Sequence, residues 1–182
     1  MQVLIRNDHG IWRSICCVQF DNDMNIIMSG SWDGTVTVWD MVTYEMINTF
    51  THHSKDITQL RFNNKMIVTS SSDESIIVYD MKSPKDIKLR YHLKGHKWEV
   101  TDVDFDDIYI VSVSEVTTIK IWNTDTGELI RTLRHGHTRG IKCVHYHNPL
   151  IVSGSWDKTL RYIQYYSNIS FQYYLKLILC VF

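Results

Sequence analysis

Three histidines, His53, His96 and His137, each stand 20 residues ahead of a turn position, which holds Asp73, Val116 and Asp157 respectively. Each also lies four residues before the first apolar residue of a strand-like run, Ile57, Val100 and Ile141. A fourth, His9, precedes Asp33 by 24 residues, across two small loop insertions in residues 10–13 and 22–25. With serines on the neighbouring strands, these are the residue types of a hydrolase: nucleophile, base, and the acid that orients the base. An enzyme, however, needs one nucleophile beside one oxyanion hole, not the same trio reissued about every forty residues. No G-x-S-x-G elbow, phosphate-cradling glycine loop or H-E-x-x-H pair accompanies them. His145 and His147 flank Tyr146 in a strand, too extended to share a metal readily. The expectation is a chain with no catalytic residue, no cofactor and no metal site.

The elements that must position these residues are short strands. Residues 29–40, Ser-Gly-Ser-Trp-Asp-Gly-Thr-Val-Thr-Val-Trp-Asp, end one strand, turn tightly and start another. Asp33 and Gly34 supply the turn, because glycine tolerates positive φ and aspartate bonds local backbone. The β-branched and aromatic run that follows is strand-prone. The pattern returns from Thr69 to Asp80, from Ser112 to Asn123, and from Ser153 to Arg161-Tyr162. The turn positions 33, 73, 116 and 157 are 40, 43 and 41 residues apart. Further strands fall at residues 46–50, 89–93 and 129–133, and both prolines, Pro84 and Pro149, lie in connections, where a missing N–H costs nothing.

A period of 40–45 residues with Gly-His and Trp-Asp signatures resembles the WD repeat, the blade unit of a β-propeller. The fold expected is all-β: a partial β-propeller of four WD-repeat blades, an open arc in preference to a closed four-bladed ring. In the ring alternative, residues 3–5 act as a strand clasp. The repeats fall at about 9–40, 53–80, 96–123 and 137–162, so the propeller covers 1–162 and residues 163–182 form a hydrophobic, aromatic-rich tail. The resemblance implies that the histidine bonds the turn aspartate, and that a strand hydroxyl and a tryptophan indole complete the network. The members here are His9, Asp33, Trp39, His53, Asp73, His96, Trp122, His137 and Asp157. Such a network satisfies polar atoms that burial would otherwise strand. In the third repeat Val116 replaces the aspartate, which leaves a nitrogen of His96 unpaired.

The 182 residues carry a net charge of −1 and are 44% hydrophobic, enough for a core and no reason to expect nucleic acid or an anionic membrane. Cys16, Cys17, Cys143 and Cys180 form no C-x-x-C pair, which points to a reducing compartment. The first residues hold no signal-peptide apolar region, so a cytoplasmic or nuclear location is expected. The tail has three readings. As a membrane anchor it is interrupted by Asn168, Gln172 and Lys176; part of it fits a strand completing the last blade; its distal half reads best as unrelated sequence joined to a truncated propeller.

Longer runs resemble the propeller of the F-box/WD-repeat family, the beta-transducin repeat-containing proteins among them. These are residues 44–50, 52–53, 60–64, 80–87, 103–107, 122–124 and 136–141. The resemblance implies a substrate receptor of a cullin-RING ubiquitin ligase that binds doubly phosphorylated degrons. The chain is expected to lack the F-box and to span only the second to fifth of seven blades. Ser14 and Arg139 match family residues that contact the phosphopeptide. Ser72 stands where the family has a phosphate-binding lysine, Glu115 replaces a glycine beside the peptide, and Trp32 and Trp156 replace serines. A carboxylate on the path and a lost cation both oppose phosphate binding. With Lys97 and Trp98, these residues make a candidate rim for a protein or peptide partner. The alternative is a truncated relic with no selected binding.

Overall fold

The computed structural model describes residues 5–6, 12–134, 136–165 and 178–179. They are all-β, in four four-stranded antiparallel sheets and a short two-stranded ladder, β1 (Ile5–Arg6) with β2 (Trp12–Arg13). Blade one is β3 (Ile15–Asp21), β4 (Ile26–Ser31), β5 (Val36–Asp40) and β6 (Met46–Phe50). Blade two is β7 (Ile57–Phe62), β8 (Met66–Ser71), β9 (Ser75–Ser83) and β10 (Asp86–Lys94). Blade three is β11 (Val100–Phe105), β12 (Tyr109–Ser114), β13 (Thr118–Asn123) and β14 (Leu129–Arg134). Blade four is β15 (Ile141–His147), β16 (Leu150–Ser155), β17 (Thr159–Gln164) and β18 (Ile178–Leu179). Within each blade every strand pairs with its neighbour in sequence, and no sheet closes on itself.

Blades one and two form one compact unit, and blades three and four a second. In the first unit Ile26, Met28, Val36 and Val38 pack with Ile57, Leu60, Ile67 and Ile77. In the second, Val111, Val113, Ile119 and Ile121 pack with Ile141, Val144, Tyr146, Ile151 and Ile163. Strand β8 is buried along its whole length, as a strand covered on both faces must be. The outer strand β14 is mostly exposed, and β6 is partly so. A bulge recurs at one place in all four blades, between Ile15 and Cys17, Ile57 and Gln59, Val100 and Asp102, and Ile141 and Cys143. Each adds one residue to the first strand and increases the local twist.

The residue after the turn position is left-handed in every blade: Gly34 at φ 79°, Glu74 at 71°, Thr117 at 55° and Lys158 at 66°. Only the first is glycine. A Cβ on Gly34 would come within 2.7 Å of the carbonyl oxygens of His53 and Lys55, so close approach as well as φ selects it.

Two sequence expectations change at blade four. The reading that aligns Tyr162 with Trp39 is one residue short. Ile151 pairs with Ile163, as Ile27 pairs with Trp39 and Ile110 with Trp122, so fully buried Ile163 holds the aromatic position. The blade therefore runs past residue 162: Gln164 ends β17, and buried Tyr165 packs edge-on against Tyr109 with ring centroids 5.3 Å apart. Ile178–Leu179, inside the tail placed outside the repeats, pairs with Leu160 and Thr159 as the fourth strand. This is in line with the reading that part of the tail completes the last blade, and against unrelated sequence at that point. The rest of the tail, His9, and residues 3 and 4 of the expected clasp lie outside the described residues. Among the described residues no helix is long and apolar enough to cross a membrane, and no cluster of His, Cys, Asp or Glu could hold a metal ion.

Candidate functional site

Blades two and four each carry the histidine, aspartate and strand hydroxyl of the network, with Tyr79 and Ile163 in place of the tryptophan. His53 Nδ1 lies 3.0 Å from Asp73 Oδ2, and its Nε2 lies 2.9 Å from Thr69 Oγ1. His137 repeats this with Asp157 at 2.9 Å and Ser153 at 2.9 Å. The amides of Ser54 and Thr138 donate to the same aspartate oxygens, at 2.9 and 3.0 Å. The other carboxylate oxygen takes the amide and hydroxyl two residues on, from Ser75 in blade two and Thr159 in blade four. Burial would raise the Asp73 carboxyl, but the bonds from His53, Ser75 and the Ser54 amide outweigh it and hold it well below the usual carboxylate range. Asp157 is lowered likewise: the bonds from Thr159, His137 and the Thr138 amide overcome its burial.

Asp157, His137 and Ser153 thus form an acid–histidine–hydroxyl chain with the distances of a hydrolytic triad. Accessibility separates it from one. Ser153 is 1% exposed and Thr69 0%, so no substrate carbonyl reaches either oxygen. The histidine's hydrogen-bonding capacity is consumed inside the blade, where it ties the turn to the strand behind it.

Blade three keeps half of this. His96 Nε2 is 2.7 Å from Ser112 Oγ, which also accepts the Trp122 indole N–H at 2.9 Å. Opposite Nδ1 the sequence provides Val116, and Nδ1 is buried with no hydrogen-bond partner. Burial, with the nearby Lys120 ammonium, pushes the His96 imidazole down to about 3. In blade one the Trp39 indole donates to Ser29 Oγ at 2.9 Å, and the Asp33 carboxylate accepts the Thr35 amide at 3.0 Å.

The candidate rim residues fall on the loops beside these networks. In the first unit the Trp32 amide donates to the Ser14 carbonyl at 3.0 Å, and Trp32 is 67% exposed. Ser72 Oγ donates to Asp56 Oδ2 at 2.8 Å, so it faces a carboxylate at the position where the F-box/WD-repeat family has a phosphate-binding lysine. In the second unit Glu115 forms an ion pair with Lys142 at 3.0 Å, and Lys142 Nζ also lies over the Trp156 ring, 5.2 Å from its centroid. Arg139, Lys142, Trp156 and Leu160 line an apolar-floored cavity of about 640 Å³. Lys97 and Trp98 line a different one, of about 330 Å³, with Val116, Lys120 and Arg134. The second unit therefore divides its candidates between two cavities.

Sequence reading misses the polar clips between first strands. Gln19 Nε2 donates to the Phe62 carbonyl and its Oε1 accepts the Phe62 amide, both at 3.0 Å. In the second unit Asp102 and Asp104 accept the amides of Val144 and Tyr146, both at 2.8 Å. The available signal is a polar residue at alternate positions of the first strand in each repeat, ordinarily read as its solvent face.

Four antiparallel blades with a shared bulge, two of them with the His–Asp–hydroxyl tie, define a WD-repeat β-propeller chain. It belongs to the family of nucleolar protein 10-like N-terminal β-propeller domains, which matches residues 3–159. The chain is 27% identical over 150 residues to the Periodic tryptophan protein 2 homolog of Caenorhabditis elegans, covering 81% of this chain and 16% of that one. It is 31% identical over 154 residues to the Ribosome biogenesis protein WDR12 homolog of Drosophila virilis, covering 81% and 36%. It therefore spans well under half the length of these relatives. Among solved structures it resembles the computationally designed Ika4 protein at TM-score 0.75 and 27% identity, covering 90% of this chain and 99% of that one.

Proposed function

We propose that the chain is a non-catalytic protein-interaction module that binds through the loops opening its blades and preceding its turns. The observation that carries this reading is three large aromatics held out in solvent, Trp32 at 67% exposed, Trp98 at 60% and Trp156 at 58%. Their loops are pinned: Trp32 and Trp156 donate backbone N–H groups to Ser14 and Gly140, both at 3.0 Å, and the Trp98 carbonyl accepts Ser114 Oγ at 3.3 Å. A tryptophan on a fixed backbone binds with little ordering cost, and Trp and Arg dominate binding hot spots. Ser14, Ser72, Lys97, Glu115 and Arg139 supply the polar surroundings.

The F-box/WD-repeat resemblance suggests the substrate receptor of a ubiquitin ligase, but the phosphate-reading chemistry is thin. Arg139 is available, while Ser72 is committed to Asp56 and Glu115 keeps a carboxylate beside Lys142. Recognition of a doubly phosphorylated degron is not part of this proposal. The names of the family and of the WDR12 relative point toward nucleolar ribosome assembly, so a nuclear site of action is favoured over a cytoplasmic one.

Capture of interacting proteins from cell extract by immobilised wild type, Trp32→Ala, Trp156→Ala and Arg139→Ala, with melting curves on each, is the test. Loss of captured proteins at unchanged melting temperature is expected, with Trp156→Ala and Arg139→Ala, in the same unit, losing the same ones. An unchanged set in all three variants would overturn the reading.

A further inference from the structure

Blade three has lost an acid but kept the groups that hold one. In blades two and four the turn aspartate receives four donors: a histidine Nδ1, the amide that follows that histidine, and the amide and hydroxyl two residues beyond the aspartate. The corresponding groups of blade three are His96 Nδ1, the Lys97 amide, and the amide and hydroxyl of Thr118. Val116 offers them no acceptor. His96 is 7% exposed, and its Nδ1 has no partner.

Val116 also lines the cavity of about 330 Å³, with Gly95, Trp98 and Thr132. Three cations line it, Lys97, Lys120 and Arg134, and no carboxylate does. Among the described residues none of the three makes an ion pair. Lys120 is 8% exposed, and the one bond its ammonium makes is to Thr132 Oγ1, at 2.7 Å. A buried lysine answered only by a neutral hydroxyl is costly, and a charged partner is the usual remedy.

We propose that this cavity receives a carboxylate from a partner protein, an Asp or Glu side chain that answers the buried Lys120 ammonium and its cationic neighbours. His96 Nδ1 is closed off from this cavity, so the incoming acid is met by the Lys120 ammonium, with Lys97 and Arg134 beside it. The three cations add the charge that draws an acidic segment in, and Trp98 at the mouth gives that segment an apolar face to rest on. Carboxylates held by charged donors make the stronger class of hydrogen bond. The site rests on the protein-binding reading above and names one chemical feature of the partner.

The test is fluorescence anisotropy of the whole chain with a labelled Gly/Ser peptide carrying a central run of three glutamates. Matched peptides carry glutamine or phosphoserine in that run. Saturable binding of the glutamate peptide, with none of the glutamine peptide, is expected. Arg134→Gln, on an exposed residue, and Lys120→Met should each weaken it by roughly tenfold or more, as loss of a charged partner does. Val116→Asp places the acid in the blade itself: it should raise the melting temperature and abolish peptide binding together. Arg139→Ala lies outside this cavity and should leave peptide binding intact, so failure of the rim reading and failure of this one are separate outcomes. Equal binding of the glutamine peptide, binding of the phosphoserine peptide alone, no binding of any, or undiminished binding by Val116→Asp each overturns the proposal.

Discussion

Blades two and three place the same histidine at the same point of the repeat, against the same strand hydroxyl. In blade two both ring nitrogens of His53 are used, and the turn it reaches is fastened by an aspartate that gathers four donors. In blade three His96 uses one nitrogen, and the turn opposite the other holds Val116. Yet the two blades have the same strand order and the same bulge. Strand pairing and apolar packing therefore suffice to build a blade, and the buried acid refines it.

The largest difference is expected when the acid is removed from blade two. Asp73→Ala removes the acceptor shared by His53 Nδ1, the Ser54 amide and the Ser75 amide and hydroxyl. It leaves buried His53 Nδ1 and Ser75 Oγ only each other, 3.3 Å apart. Leaving buried donors unsatisfied costs about 1–3 kcal/mol, and the upper end is expected here. Val116→Ala removes only methyl groups from a partly exposed site and should cost less than about 1 kcal/mol. Thermal unfolding of the two variants measures the contrast, and equal shifts would break it.

That contrast was legible in the sequence because both partners are fixed by one spacing: a histidine 20 residues before Asp73 or Val116 says whether the pair can form. The aromatic position of blade four was easier to misread. Tyr162 is the residue type expected there and draws the reading one residue short. The six-residue spacing from Asp33 to Trp39 and from Val116 to Trp122 nevertheless leads from Asp157 to Ile163, as the pairing register shows. The short fourth strand, Ile178–Leu179, was legible as a strand somewhere in the tail, but its position was not, because no turn grammar precedes it. Asp102 and Asp104 were obscured for a different reason. Their partners are amides about forty residues away, and alternation along one strand does not distinguish a carboxylate facing water from one facing another blade's backbone. Lys120 reads as a solvent-facing strand residue, and only packing shows it buried.

A second, smaller separation is expected with pH. The His96 imidazole is pushed from 6.5 down to about 3, first by burial and then by Lys120. Between those values the unfolded chain binds a proton that the folded chain refuses. The stability that depends on neutral His96 is thus fully present above pH 6.5 and falls as pH drops toward 3. The slope is at most about 1.4 kcal/mol per pH unit, so roughly 2 kcal/mol is lost by about pH 5. The aspartates act later. Asp73 and Asp157 are lowered from 3.8, so their contribution is kept above that value and lost as pH falls below it. Denaturant unfolding at pH 7 and pH 5 should show a marked loss in wild type and a smaller one in His96→Gln. Parallel losses would mean that blade three is not the acid-sensitive blade.

The smallest effect sharpens the comparison most finely, because blade three does carry an acid at its turn, one residue early. Glu115 sits immediately before Val116 and pairs with Lys142 at 3.0 Å, with the two side chains 41% and 38% exposed. A pair that wet is screened and must order two long side chains, so it contributes on the order of 0–1 kcal/mol. Glu115→Gln should therefore shift stability by less than about 0.5 kcal/mol, a tenth or two of the Asp73→Ala effect at most, and the shift should shrink further in high salt. If Glu115→Gln instead approached the cost of Asp73→Ala, the acid one residue out of place would be doing the network's work from the surface. The difference between the two blades would then lie in the route taken by the acid and not in its absence.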